Sequence, residues 1–236
     1  MVQKLLGEVY IFCIKKAGFQ IQALEMEPQS ICRSLIKKEV SPAPVMIVNF
    51  GSIATNLIVF SGYSLRFTTS IPFSILSLDQ AISKSLNISL KEAENLRQEY
   101  GLESSEDKEK KIDGRGSAKK IDKKEITAII ISIIRDLVPQ IGKYIEYYQT
   151  HSFLERLSAG SKGIAKIILS GYGANSKGLA NFLSLSLRIP VEAGNPWINI
   201  LPEPLREVPE LSFNESLSYT TALGLALRGI KEDNFQ

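Results

Sequence analysis

Val45-Met-Ile-Val-Asn-Phe-Gly-Ser-Ile-Ala-Thr-Asn-Leu-Ile-Val-Phe60 decides how this chain reads. Two runs rich in β-branched and aromatic residues, Val45 to Phe50 and Thr55 to Ser61, flank the turn Gly51-Ser52-Ile53-Ala54. A third run, Ser64 to Thr69, follows after only Gly62-Tyr63. Connections this short cannot cross over a sheet, so the three runs are expected to be antiparallel neighbours.

Upstream, Leu6, Val9, Tyr10, Cys13, Ile14 and Ala17 share one helical stripe that Gly18 is expected to end. Phe19 to Met26 alternates weakly and is expected to form a short strand. Glu27-Pro28 then opens a second helix, with proline in its first turn and Ile31, Cys32 and Leu35 facing inward. The change of composition at Ser41-Pro42-Ala43-Pro44 marks entry into the β-rich part.

Downstream, a helix is expected from Ser74 to Ser85, and Ser89-Leu90-Lys91-Glu92 has the pattern of a capping box opening a helix to Tyr100. Residues 124–150 carry an apolar stripe from Ile126 to Tyr148, in which Pro139 predicts a kink or break. The last quarter reads strand (Ile164 to Leu169), glycine turn (Ser170-Gly171-Tyr172-Gly173-Ala174-Asn175), helix (Ser176 to Leu187), strand (Ile189 to Glu192), which is a βαβ unit with a parallel pair. A small-residue helix from Leu217 to Arg228 follows, with Gly229 as its expected stop. The sum is an α/β protein with a mixed five-stranded sheet.

A chain of 236 residues, 44% hydrophobic and 22% charged, can bury a sizeable core, which excludes collagenous, disulfide-scaffold and disordered classes. Cys13 and Cys32 lie in apolar helical stretches without metal-ligand spacing, so both are expected to be buried thiols. The longest uncharged apolar run, Ile126 to Ile134, is far short of the roughly 20 residues that span a bilayer, and no signal peptide follows Met1. A cytoplasmic protein without a transmembrane segment is expected.

The net charge of +3 hides an uneven distribution. Lys108 to Lys124 holds eight Lys/Arg against three Asp/Glu, so the rest of the chain is slightly acidic. Together with Glu103 to Asp107, this stretch has too few apolar residues to offset its ordering entropy, and a mobile charged loop over 103–124 is expected. It lacks the interleaved aromatics of a nucleic-acid surface; contact with anionic lipid is the alternative use.

Both glycine turns follow strands and are candidate phosphate or nucleotide contacts. In Asn49-Phe50-Gly51-Ser52-Ile53-Ala54-Thr55, backbone N–H groups and the hydroxyls of Ser52 and Thr55 can converge on an anion. The second turn, 170–175, leads into a helix and lets a flat ligand approach its backbone, with Tyr172 placed to stack on a base. Neither a dinucleotide fingerprint nor a Gly-x-x-x-x-Gly-Lys-Ser/Thr loop is present. His151 reads as a solvated helix end, Trp197 as packing at a strand end, and Tyr144, Tyr147 and Tyr148 as core and rim.

Taken together, these motifs resemble a known family. Residues 45–60 are similar to the second phosphate motif of actin-like ATPases, and Ile168-Leu-Ser-Gly-Tyr-Gly-Ala-Asn-Ser-Lys-Gly-Leu-Ala180 to their adenosine motif. Residues 89–97, Val191-Glu-Ala-Gly-Asn-Pro196 and Thr221-Ala-Leu-Gly-Leu-Ala-Leu-Arg-Gly229 resemble the PilM branch of type IV pilus assembly, close kin to FtsA. The resemblance implies an actin-like ATPase (ribonuclease H-like) fold with a helical insertion subdomain. Residues 1–40 would belong to the first lobe and 41–232 to the second, with core segments 41–75 and 160–232 and insertion 76–159.

It also implies roles for individual residues. Gly51, Ser52 and Thr55 would face the β- and γ-phosphates of ATP, Gly171 and Gly173 the adenine, and Glu94 with Arg97 the ribose or base edge. Glu27 would place Mg²⁺ or the attacking water as the catalytic carboxylate. Members of this fold usually carry Asp where this chain has Asn49, a neutral amide that would act on Mg²⁺ only indirectly. The expected role is therefore assembly at the cytoplasmic face of the inner membrane, with at most weak ATPase activity. The partners implied are a PilN-like membrane protein tail and the pilus assembly motors, with self-association allowed. The alternative is an active ATPase or phosphotransferase of the same superfold. No Asp-x-Gly phosphate hairpin precedes residue 19, so an N-terminally truncated member of the family is expected.

Overall fold

The computed structural model describes residues 4–102, 123–151, 163–201 and 210–233. β1 (Ser41–Phe50), β2 (Thr55–Gly62) and β3 (Ser64–Ile71) form the expected antiparallel meander. β4 (Lys166–Gly171) and β5 (Val191–Ala193) extend it in parallel, giving the order β3-β2-β1-β4-β5. β1 starts at Ser41 rather than Val45. The β1–β2 register shifts between those two residues, and Pro42 and Pro44, which cannot donate to a ladder, occupy the irregular stretch.

The apolar runs are nearly continuous because both faces of the sheet are covered. Met46, Val48, Phe50, Leu57, Val59, Ile167 and Leu169 point into the larger core. Val45, Ile47, Ile58, Phe60 and Ile168, which alternate with them, point into a smaller core with Ile31, Cys32 and Leu35 of α2 (Glu27–Leu35). The larger core is closed by α3 (Ile75–Leu86), α4 (Leu90–Tyr100), α5 (Lys123–Arg135), α6 (Leu137–His151) and α7 (Leu179–Leu187). Ser74 caps α3, and the Ser89–Glu92 capping box opens α4 as its sequence foretells.

After α8 (Phe213–Ser216) and a 3-10 turn (Leu217–Tyr219), α9 (Thr220–Asp233) lies across α2. Gly224 makes that crossing close: a Cβ added there would stand 1.9 Å from the Ser30 carbonyl oxygen.

Several expectations need correction. Phe19 to Met26 forms no strand; Glu25 instead ties this segment to Arg33 and Arg228. The stripe of α1 (Lys4–Lys16) is not buried: Val9, Tyr10, Cys13 and Ala17 are exposed, and Cys13 is thus an exposed thiol. Cys32 is buried, and desolvation pushes its thiol up to about 12. The long stripe splits at Asp136 into α5 and α6, with Pro139 in the first turn of α6 where its missing N–H costs no bond. Lys123 and Lys124 belong to α5, not to a charged loop, and 103–122 lie outside the described residues. Helix α7 starts at Leu179 instead of Ser176 because Gly178 holds a left-handed conformation (φ 75°) at its N-cap. Gly229 does not end α9; glycine in the right-handed region weakens a helix without stopping it. No helix among the described residues is long and apolar enough to cross a membrane.

Candidate functional site

Two turns 120 residues apart in sequence meet because β1 and β4 are parallel neighbours in register, with Phe50 opposite Gly171. Ligands of open α/β sheets gather at the carboxyl ends of such strands. Gly171 has φ 87°, and a Cβ added to it would lie 2.3 Å from the Phe50 carbonyl oxygen. Gly173 faces Ile75, whose Cδ1 would be 2.1 Å from an added Cβ. Backbone packing therefore demands glycine at 171, whatever approaches from outside, while at 173 the crowding comes from the end of the Ile75 side chain.

On the α2/α9 face, the strand ends are polar. Asn49 is buried, opposite Asn56 on β2 and Ser170 on β4. Ser170 Oγ donates to Thr220 Oγ1 at 3.0 Å. Glu27, in the first turn of α2, accepts from Thr221 Oγ1 at 3.1 Å and from Asn56 Nδ2 at 3.4 Å, and Ser70 Oγ donates to Asn56 Oδ1 at 2.7 Å. The structure thus brings Glu27 and Asn49 to one end of the sheet. It adds Asn56, Ser170, Thr220 and Thr221, which sequence reasoning did not single out. The period of two was the available signal: Asn56 follows Thr55 and points to the opposite face.

Thr55 accordingly faces the larger core. It is fully buried and its hydroxyl donates to the Phe73 carbonyl at 2.8 Å, so no proton remains for a phosphate oxygen. Gly51 N–H is likewise committed, to the Ala54 carbonyl at 3.1 Å, closing the hairpin on itself. Ser52 is exposed at the hairpin tip, beside Ile53, which is 88% exposed. Of the three residues expected to face phosphate, Ser52 alone keeps its hydroxyl in solvent.

The other side of the site is built by α4 and the turn after β4. Arg97 is fully buried and grips Asp79 of α3 with two bonds, Nε to Oδ1 at 2.6 Å and Nη2 to Oδ2 at 3.2 Å, while Nη1 reaches Ser176 Oγ at 3.4 Å. The expectation that Arg97 touches a ribose or base edge is corrected: an internal carboxylate holds its guanidinium. That group lies over the Tyr172 ring, 5.5 Å from its centroid. The Tyr172 hydroxyl donates to Glu94 and receives a bond from Gln98 Nε2 at 3.0 Å. Glu94 also binds Lys91 at 3.0 Å. The Tyr172 bond, then Lys91, hold the Glu94 carboxyl below the usual carboxylate range; burial and Glu94 push the Tyr172 phenol up.

Lys177 reaches the Glu99 carbonyl at 2.9 Å and its own carbonyl accepts Leu102 N–H at 2.7 Å, locking the turn against the end of α4. Of the expected residues, Glu94, Arg97, Gly171, Tyr172 and Gly173 come together here. Among the described residues no group of three His, Cys, Asp or Glu could hold a metal. With a single carboxylate, Glu27, at the polar strand ends and an amide at Asn49, the residues do not fit a protein-held Mg²⁺.

Known proteins share this fold. Structures similar to this one include the PilM-PilN type IV pilus biogenesis complex, at TM-score 0.68 and 21% identity, covering 94% of this chain and 56% of that one. MreB5 of Spiroplasma citri bound to AMPPNP matches at TM-score 0.71 and 16% identity, covering 98% and 67%. These similarities, with the five-stranded mixed sheet, show the actin-like ATPase fold. Cell division protein FtsA of Neisseria meningitidis serogroup B is 24% identical over 191 residues, 78% of this chain and 44% of that protein. Its counterpart from Borreliella burgdorferi is 21% identical over 251 residues, 98% and 57%. The chain spans about half the length of these curated relatives. The family model described as cell division protein FtsA matches residues 46–224, and the chain belongs to the FtsA family.

Proposed function

We propose that this chain is the nucleotide-binding part of an actin-like assembly scaffold, one that holds ATP with little hydrolysis. Residues 1–40 would belong to the first lobe and 41–232 form the second. The observation that carries this reading is the asymmetry of the site. Its base end is an ordered platform of Tyr172, Glu94 and buried Arg97. At its phosphate end, Gly51 N–H and the Thr55 hydroxyl bond internally and Asn49 stands where a metal-orienting carboxylate would be needed. Among the described residues, Glu27, held by Thr221 and Asn56, is the candidate for orienting a water.

The partner we propose is the cytoplasmic tail of a PilN-like membrane protein, at the inner-membrane platform of a type IV pilus with its motors. It is supported by the similarity to the PilM-PilN complex. Membership of the FtsA family favours a second reading, the same scaffold chemistry in a cell-division assembly. An active ATPase or phosphotransferase has the internally closed phosphate hairpin against it.

Titration of the 236-residue chain with labelled ATP, with and without Mg²⁺, tests the reading. Saturable binding that depends little on Mg²⁺, with negligible turnover, is expected. Rapid Mg²⁺-dependent hydrolysis would replace the scaffold with an enzyme, and absence of binding would remove the nucleotide. Capture of a PilN tail peptide by the folded chain tests the partner; a well-folded chain that ignores the peptide excludes it.

A further inference from the structure

β3 is an edge strand, paired with β2 on one side only. Gly51 N–H donates to the Ala54 carbonyl, which sets the alternation of hydrogen-bonded pairs along the hairpin: Asn56, Ile58 and Phe60 bond to β1, so Leu57 and Val59 bond to β3. Their partners Thr69 and Phe67 turn inward, and the N–H and C=O groups of Thr68 and Ser70 point away from the sheet. Both residues are exposed, and among the described residues nothing pairs with these outward backbone groups. Proteins usually blunt such an edge with a bulge, a charge or a proline. Here those devices stand only at its ends: Arg66 is the extra residue of a bulge, between the pairs Phe60–Leu65 and Val59–Phe67, and Pro72 follows the strand. Phe67-Thr-Thr-Ser-Ile71 between them carries no charge, proline or bulge.

We propose that two copies of this chain pair antiparallel through Phe67–Ile71, about a two-fold axis at Thr69, and join their sheets edge to edge. The window is self-complementary in that register. Thr68 faces Ser70 of the second copy, which satisfies every outward N–H and C=O of both residues; Thr69 faces Thr69, and Phe67 faces Ile71. Aromatic–β-branched and Thr–Thr or Thr–Ser pairs are among those that stabilise antiparallel neighbours. Phe67 is backed by Tyr144 and Tyr147 of α6, with ring centroids 6.1 and 5.6 Å away, so its ring is already fixed for Ile71 of the second copy. Neighbouring registers are poorer: Thr68 on the axis draws in the bulged Arg66, and Ser70 on the axis draws in Pro72, which has no N–H. Such an isologous contact closes after two copies instead of extending a filament, and it holds whether or not the chain binds ATP.

Sedimentation velocity of the full chain, from low to high micromolar concentration, tests this on the natural sequence and on Thr68→Pro, Thr69→Lys and Thr69→Glu. The natural chain, 26.1 kDa, is expected to move to twice that mass as its concentration rises. Thr68→Pro spares the β2 ladder because the N–H it removes points outward, and it should weaken the dimer roughly 5- to 100-fold, the worth of two hydrogen bonds. Thr69→Lys or Thr69→Glu sets like charges opposite each other, about 4.5 Å apart at Cα, and should weaken it about fivefold. An equimolar mixture of the two should dimerise at least as well as the natural chain, because opposite charges then meet across the axis. A melting temperature for each variant confirms that it folds. A natural chain that stays monomeric, association that ignores the substitutions at 68 and 69, or a mixture no better than its components overturns the proposal.

Discussion

Phe50 and Gly171 face each other across parallel strands, and the space that a Gly171 side chain would need is filled by the Phe50 carbonyl, 2.3 Å from an ideal Cβ. Gly171→Ala is therefore expected to cost the roughly 1–2 kcal/mol of a left-handed residue, plus the displacement of β1 from β4. Urea unfolding reads the stability loss, and nucleotide affinity should fall with it because both turns shift. An unperturbed Gly171→Ala variant would show that the two turns are not in contact.

Gly224 and Gly229 lie in the same helix with opposite surroundings. At Gly224 an added Cβ meets the Ser30 carbonyl, whereas at Gly229 nothing lies within 4 Å. Gly224→Ala should force α9 off α2 and cost about 1–3 kcal/mol. Gly229→Ala should gain up to about 1 kcal/mol from helix propensity. Thermal melts of the two single variants should move in opposite directions.

Asp79 and Arg97 form a buried ion pair that joins α3 to α4 beneath Tyr172. Removing either partner leaves a charge without compensation, and Asp79→Ala is expected to lose about 3–5 kcal/mol. Replacing both by apolar residues, Asp79→Leu with Arg97→Met, should recover much of this, because the desolvation penalty disappears with the charges. Chemical denaturation of the single and double variants forms the cycle. The double variant should still bind nucleotide less well, since the ring loses its support.

Glu25 receives two bonds from Arg33, at 2.6 and 2.8 Å, and one from Arg228 at 2.8 Å, and these guanidinium contacts hold its carboxyl below the ordinary value of 4.5. A lowered folded-state value means that this contribution is complete above about pH 4.5 and is lost as pH falls through the folded value. Glu25→Gln is expected to destabilise the chain at pH 7 and to flatten the acid limb of its stability profile. An acid limb identical to that of the natural chain would contradict the assignment.

Much of this fold is legible along the chain, since the meander and the parallel β4–β5 pair follow from local signals, whereas the β1–β4 pairing that joins them links strands far apart in sequence. Short turns force the meander, the βαβ unit forces a parallel neighbour, and Ser74 and Ser89 announce their helices. What could not be read locally depends on distant partners. Arg97 looks like a surface residue of a polar helix until Asp79, 18 positions earlier, is folded against it. Thr55 looks like a phosphate ligand until the pleat turns it toward Phe73 and turns Asn56 to the polar side. Helix α1 shows the reverse case: an amphipathic pattern is visible, but no described element covers it. The glycines at 51, 171 and 173 are recognisable as special in the sequence, whereas the atoms that crowd them, in Ala54, Phe50 and Ile75, become apparent only in three dimensions.

If the turns at 49–56 and 170–177 form one nucleotide site, amide hydrogen exchange of the chain with and without ATP registers both together. Slower exchange in both segments, and in α4 around Glu94 to Gln98, with the same ATP dependence, is the expected result. Protection confined to one turn, or exchange unchanged in both at saturating ATP, would contradict it.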